Sequence, residues 1–285
     1  HSSDESVCCH CFKLKELKKK QNPTAKDQAD IINLEKHIER WHEQSHYYLE
    51  CKRILVADKQ REKIIVVQDF TQIKVQGTFY QDLIVCFYSY DEQIEGELKR
   101  TYCHFLAPTN TTKNDSLFVF GVWRSHIKEK FFDQKTKIEV FSDGGPKHFK
   151  LTGTMSFFGF LKKNMNVDLT YHFFESNHGH SICDGVAAHA KKALNVQQRD
   201  TGIPINNPNE VVVVLRKIKN TFAQLAVVET VKLPFATFTG IRSSMKFTFG
   251  QVDNKFKTFG YNLSRSNVIN GQWEAKIDGF APLQL

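Results

Sequence analysis

The chain has no apolar run approaching the ~18 residues that a membrane-crossing helix needs. Its polar opening, residues 1–6, lacks the apolar stretch of a secretory signal. A disulfide framework is missing too. The seven cysteines are odd in number, with Cys8, Cys9 and Cys11 crowded at the start and Cys51, Cys86, Cys103 and Cys183 scattered through apolar segments. Small secreted domains carry cysteines in paired, regular spacing, so the expectation is a reducing compartment and no membrane partner. No internal repeat stands out, which argues against a solenoid, and no low-complexity linker divides the chain. The first residue is not Met, and the expectation is a fragment of a longer protein.

What is present suits an ordinary globular protein of one or two domains. The 285 residues are 41% hydrophobic and 25% charged, enough apolar material for a core. Phe is overused, at 24 residues, many of them in strand-like runs. A formal charge of +8 and a sequence pI near 9.0 favour an anionic partner such as nucleic acid.

Three zones follow along the chain. Residues 1–58 read as a helical hairpin turned at Asn22-Pro23, with Ile31, Ile32, Leu34, Ile38 and Trp41 at helical spacing and Asp27 or Asp30 as cap. Residues 59–200 read as strand, strand, strand, helix, strand, helix, strand, helix. KIIVVQDF is the first strand; a turn holding Gly77 separates it from DLIVCFYSY, and RTYCHFLA is the third. A helix capped by Asn114 or Asp115 leads to KIEVFSDGG, a glycine-containing helix to NVDLTYHFFE, and a final helix opens near Asp184. Three meandering strands followed by two added through helical crossovers is the RNase H-like order: an α/β fold with a mixed sheet of five strands flanked by helices. Residues 201–285 read as a small α+β extension, opening with a helix from Pro208 through TFAQL.

Asp69 and Asp143 each end an apolar strand, and in this order those strands are neighbours. Aspartate at a strand end is also ordinary turn chemistry, so neither residue alone is diagnostic. Together they form a carboxylate pair that repels unless a cation lies between, and Mg²⁺ or Mn²⁺ suits oxygen ligands and phosphate substrates. Asp184, opening the last helix, is the expected third acid, with Glu175 at the end of the fifth strand as its rival. Lys147, His148 and Lys150 follow Asp143 and are candidates for steering a DNA backbone, as are His178 and His180 in the loop before Asp184. At the N-terminus Cys8 and Cys11 form a C-x2-C pair, followed by His37 and His42, a combination that suits zinc.

The blocks VVQDF, VFSDGGPKHFK and HFFESNHGHSICDGVAAHAKKAL, with the later GIRSSMKFTF, resemble eukaryotic transposon-derived proteins with DDE/D transposase domains. The resemblance covers residues 60–265 and implies Asp69, Asp143 and Asp184 as catalytic metal ligands. It also implies Lys191 and Lys192 as part of a basic helix after Asp184. The chain departs from the group at His148, His180 and Ala187-Ala188. The implied function is a nuclear DNA transposase, acting as a homo-oligomer on transposon ends and target double-stranded DNA by metal-dependent cleavage and strand transfer. The alternatives are a catalytically inactive domesticated transposase that binds DNA, and an RNase H-fold nuclease without strand transfer.

Overall fold

The structure, a computed structural model, describes residues 8–57, 61–109, 116–144, 149–175, 181–227, 238–274 and 280. Helices α1 (Cys9–Lys18) and α2 (Ala25–Ala57) precede strands β1 (Lys63–Val75), β2 (Thr78–Tyr90) and β3 (Leu98–Pro108). Helix α3 (Ser116–Lys128), β4 (Lys137–Ser142), α4 (Thr152–Met165), β5 (Asp168–Phe173) and α5 (Ile182–Thr201) follow in alternation. The remainder is α6 (Pro208–Leu215), β6 (Thr221–Leu225), β7 (Lys246–Val252), β8 (Lys255–Tyr261) and β9 (Ile269–Glu274).

The expected element order holds, and the strands assemble as it requires. β1, β2 and β3 form an antiparallel meander, while β4 runs parallel to β1 and β5 parallel to β4. The central order β3-β2-β1-β4-β5 is the RNase H-like arrangement, but the sheet has nine strands, not five. β6 extends it beyond β3, and β7, β8 and β9 extend it beyond β5. The last zone is therefore part of the same sheet. The helix from Pro208 ends at Leu215, and TFAQL is strand, since Thr221–Leu225 pair parallel with β3.

Two local readings change as well. The segment after Asp69 is no long turn: β1 runs to Val75, and Gln76 and Gly77, at φ 50° and 81°, make a two-residue hairpin turn into β2. Positive φ at both turn residues matches the twist of the flanking strands, which is why Gly occupies the second. At α2, Thr24 caps rather than Asp27 or Asp30. Its Oγ accepts from the Asp27 amide at 3.1 Å while Asp27 Oδ2 accepts from the Thr24 amide at 3.0 Å, a reciprocal box.

Side chains along β1 alternate between the faces, as the two-residue period of a strand requires. Ile64 and Val66 face α3 and α4 in a phenylalanine-rich core that includes Phe118, Phe120, Phe157, Phe158 and Phe173. Ile65 and Val67 face the other way, toward α2 and α5, with Leu55, Phe141 and Cys183. One of the two glycines of α4 has a packing reason: a Cβ at Gly159 would meet Phe256 Cε1 at 3.3 Å, so glycine lets the helix lie close against β8.

His126 of α3 is fully buried among Phe87, Phe105 and Trp123, and neither ring nitrogen has a hydrogen-bond partner among the described residues. Burial alone pushes its pKa down to about 3. In the unfolded chain histidine titrates near 6.5, so as pH falls below that value the unfolded state gains a proton the folded state refuses. The associated stability is fully present above about 6.5 and is lost toward pH 3, at up to about 1.4 kcal/mol per unit. Urea unfolding at pH 7.5 and 5.0 is expected to show a larger loss for the wild type than for His126→Leu, by about 2 kcal/mol. Equal losses would show that the ring is not held neutral.

Candidate functional site

Asp69 and Asp143 follow the last β1–β4 pair, Gln68 with Ser142, so they are the next residues in line on adjacent parallel strands. Neighbouring strands lie about 4.8 Å apart. By the alternation of the sheet both aspartates belong to the face that carries α5. Asp69 lies inside β1 rather than at its end, at the point where β4 stops and leaves one side of β1 unpaired. Its Oδ1 accepts from the Phe70 amide at 2.7 Å.

Asp184 comes to the same place from α5. Burial first, and then the charges of Asp143 and Asp184, push the Asp69 carboxyl up to about 7, against the lowering effect of the Phe70 amide. The three expected acids therefore share one electrostatic neighbourhood. Asp143 is half-buried and Asp184 exposed. Asp184 also has a local structural role, as its Oδ2 accepts from the Ser181 amide at 2.9 Å in the box that starts α5. The three do not close to within 4.8 Å of one another, a spacing reached among the described residues by Cys8, Cys11 and His37. As a donor set, three carboxylates with raised mutual repulsion fit a hard divalent cation.

A buried polar network lies under the two strand aspartates, and sequence reasoning missed it. Gln68 and Ser142 each precede an aspartate and point to the opposite face. Trp123 Nε1 donates to Gln68 Oε1 at 2.9 Å, Gln68 Nε2 donates to Tyr171 Oη at 2.7 Å, and Tyr171 Oη donates to Ser142 Oγ at 3.0 Å. The chain of bonds crosses β1, β4 and β5 and fixes the backbone that carries Asp69 and Asp143. A polar residue just before each aspartate in an otherwise apolar run was its one visible trace.

Glu175 is directed elsewhere. Its Oε1 is 2.9 Å from His37 Nδ1, and Arg40 donates to both its oxygens at 2.8 and 3.0 Å. Burial favours its neutral form, yet the bonds from His37 and Arg40 hold the carboxyl down at about 2. The bond to Glu175 in turn holds the His37 imidazole above its ordinary value. His37 Nε2 lies 3.5 Å from Cys8 Sγ, and Cys8, Cys11 and His37 form a buried group. His42 is not in that group. It is five residues further along α2, about 140° round the helix, and its ring lies against Trp41 at 4.5 Å and toward His46.

The expected DNA-facing residues divide. Lys191 and Lys192 are exposed on α5, and Lys191 Nζ is 3.5 Å from Thr71 Oγ1, two residues beyond Asp69. Lys150 is buried instead. Its ammonium donates to the Arg242 carbonyl at 3.1 Å and lies 4.8 Å above the Phe173 ring, and burial pushes its pKa down to about 8. Its neighbour Phe149 stacks on Phe70 at 5.0 Å, so the Phe149-Lys150 pair fastens the chain after β4 against β1. Lys147, His148, His178 and His180 lie outside the described residues. An open cleft of about 700 Å³ adjoins Gly144, lined by Arg40, Lys150 and Arg242 together with Glu39, Glu43 and Glu175.

Among solved structures, the chain is similar to the HTLV-2 integrase catalytic core domain in complex with magnesium, in its dimeric form. The identity is 14% and the TM-score 0.32, over 53% of this chain and 81% of that one. It is similar also to the simian T-cell lymphotropic virus intasome in complex with PP2A regulatory subunit B56 gamma. There the identity is 12% and the TM-score 0.34, over 74% of this chain and 69% of that one. No curated protein sequence matches the chain. The family model described as a domain of unknown function, DUF8701, matches residues 44–237, a span running from within α2 through the whole central sheet and its three aspartates, and the chain belongs to that family.

Proposed function

We propose that Asp69, Asp143 and Asp184 form the metal-binding centre of a DNA-processing enzyme, a transposase or transposon-derived protein that cleaves and rejoins phosphodiesters. The observation that carries this reading is the placement of Asp69 and Asp143 side by side after the last β1–β4 pair, with Asp184 at the start of α5 near enough for its charge to act on Asp69. Carboxylates gathered from a strand, a strand end and a helix start, on an RNase H-like sheet, suit oxygen-seeking metal chemistry better than turn chemistry. The motif blocks around the three residues, with their resemblance to DDE/D transposases, support double-stranded DNA as the substrate.

Magnesium or manganese held by these acids would activate a water or 3′ hydroxyl and stabilise the leaving oxygen. The protein's own part is positional. The Phe70 amide orients Asp69, the box at Ser181 orients Asp184, and the Gln68 network holds the two strands level. Lys191 lies seven residues, two turns, after Asp184 and so on the same side of α5, where it can meet a phosphate backbone. Lys191→Ala is expected to weaken DNA binding and to reduce the slope of log affinity against log salt by about 0.9. An unchanged slope would remove Lys191 from the interface.

The test of the function is incubation of the protein with duplex DNA and Mg²⁺ or Mn²⁺, followed by strand transfer with pre-cleaved ends. Cleavage with end-joining supports the transposase; hydrolysis alone supports a nuclease. Two observations favour a second reading. The acids are spaced more widely than the Cys8 group, and Asp184 already closes a helix cap, which suits a domesticated, catalytically inactive DNA-binding protein. Salt-sensitive DNA binding with no cleavage under either metal supports that reading. In either case the proposed setting is the nucleus, with the chain acting as a homo-oligomer.

A further inference from the structure

The N-terminal hairpin contains a second donor cluster, of different chemistry from the aspartates. Cys8, Cys11 and His37 each place a ligand atom within 4.8 Å of the others, and all three are buried, at 1%, 2% and 5% exposure. Two buried thiols in a short helix have an ordinary explanation as small apolar side chains. That explanation does not account for His37. A histidine kept for packing has no need to aim one nitrogen at two thiols and the other at a buried carboxylate. Here Nε2 faces Cys8 Sγ at 3.5 Å while Nδ1 meets Glu175 Oε1 at 2.9 Å. Metal-bound histidines are characteristically oriented this way, with the distant nitrogen fixed by a carboxylate. Glu175 is itself held by Arg40 through both oxygens, so the orientation is anchored two residues deep.

The spacing suits the same reading. Cys8 caps α1 and Cys11 sits in its first turn, which puts both sulfurs on one side of the helix start, and His37 faces them from the middle of α2. The apolar contact between the two helices is small: Leu14 and Leu17 against Leu34, flanked by Ile31 and Ile38. A short helix held by so few side chains gains much from a cross-link. Two thiolates and an imidazole select zinc over magnesium or calcium. The ring of His10, 4.9 Å from that of His37, offers a further nitrogen beside the three donors.

We propose that Cys8, Cys11 and His37 bind one zinc ion, with Glu175 as the outer partner that orients His37, so that the ion joins α1 to α2 and the Glu175 contact ties that pair to the chain after β5. Glu175 lies two residues beyond the last β4–β5 pair, Ser142 with Phe173, next to the strand that leads into Asp143. The zinc-bound histidine thus reaches, through Glu175, the strand ends beside which the carboxylate centre lies. The proposal is independent of whether that centre is active.

The experiment uses the whole chain, purified under reductant. Its metal is measured by atomic emission, and the chelator-stripped protein is titrated with Co²⁺ as a coloured stand-in for zinc. The expected result is one metal per chain, with thiolate-to-cobalt charge-transfer absorption and the visible bands of a tetrahedral site. Cys11→Ser and His37→Ala should lose the site, whereas His42→Ala should titrate like the wild type. Glu175→Gln should keep one metal per chain and lose affinity about 10- to 100-fold. The proposal is overturned if the wild type shows no stoichiometric metal and no thiolate band, or if His42→Ala costs as much as His37→Ala. Wild-type affinity in Glu175→Gln would overturn the outer role of that residue. All these readouts are independent of DNA cleavage.

Discussion

Asp143→Asn is expected to abolish metal-dependent cleavage of duplex DNA, a fall of roughly 10⁴-fold or more, of the size seen when an essential catalytic group is removed. Asparagine keeps the shape and removes the charge. Asp143 is half-buried at the end of β4, and its charge is one of the two that raise Asp69. The substitution relieves the repulsion against Asp69 in the metal-free protein, so thermal stability should hold or rise while activity disappears. That opposite movement separates a functional carboxylate from a structural one. Asp184→Asn should also lose activity; its amide oxygen can still accept from the Ser181 N–H, so the cost to the helix is limited to the lost negative charge at its start, about 0.3–1 kcal/mol. Activity retained by Asp143→Asn would sink the carboxylate centre. Loss in both Asp143→Asn and Glu175→Gln, with activity retained by Asp184→Asn, would move the third acid to Glu175.

Gln68→Leu is expected to damage both stability and rate. The side chain is fully buried and bridges the Trp123 indole to the Tyr171 hydroxyl. Leucine fills similar space and leaves the indole N–H without an acceptor, at a cost of about 1–3 kcal/mol. The same loss frees the backbone beneath Asp69 and Asp143, and a displacement near 1 Å can cost about 100-fold in rate. Gln68 is a positioning residue, so kcat should fall well below the unfolding temperature while KM changes little. Adding Trp123→Phe removes the stranded donor and should recover part of the stability without recovering kcat. If the double variant regains both together, the network serves folding alone.

The two substitutions also divide what was legible in the chain from what was not. Asp143 was visible because a strand announces itself: Ile138, Val140 and Phe141 form an apolar β-branched and aromatic run, and the glycine after the aspartate marks its end. The same local logic found α5, with Asp184 in its first turn, and the helical hairpin at Asn22-Pro23. The turn at Gly77 reads too long in the sequence because TQIKV and TFYQ carry too weak an alternation to mark them as strand until paired across the hairpin. TFAQL was absorbed into a helix because five residues carry too little period to separate strand from helix, and its partner β3 lies more than a hundred residues earlier. Lys150 looked like a surface cation because its burial depends on Phe173 and Arg242, which its own neighbours in the chain do not disclose.

The sequence by itself determined the order of elements, the α/β class, the central five strands, Asp143 after β4 and Asp184 in the first turn of α5. It also supplied the C-x2-C pair and His37. Only the tertiary structure decided that the sheet runs to nine strands, that Glu175 belongs with His37 and Arg40, that His42 stands apart, and that Gln68, Trp123, Tyr171 and Ser142 link the strands that carry Asp69 and Asp143. The physical reason is one of range. Backbone period and capping act over a few residues and can be read in order, whereas the partner of a buried polar side chain is set by packing between segments that meet only when the chain has folded.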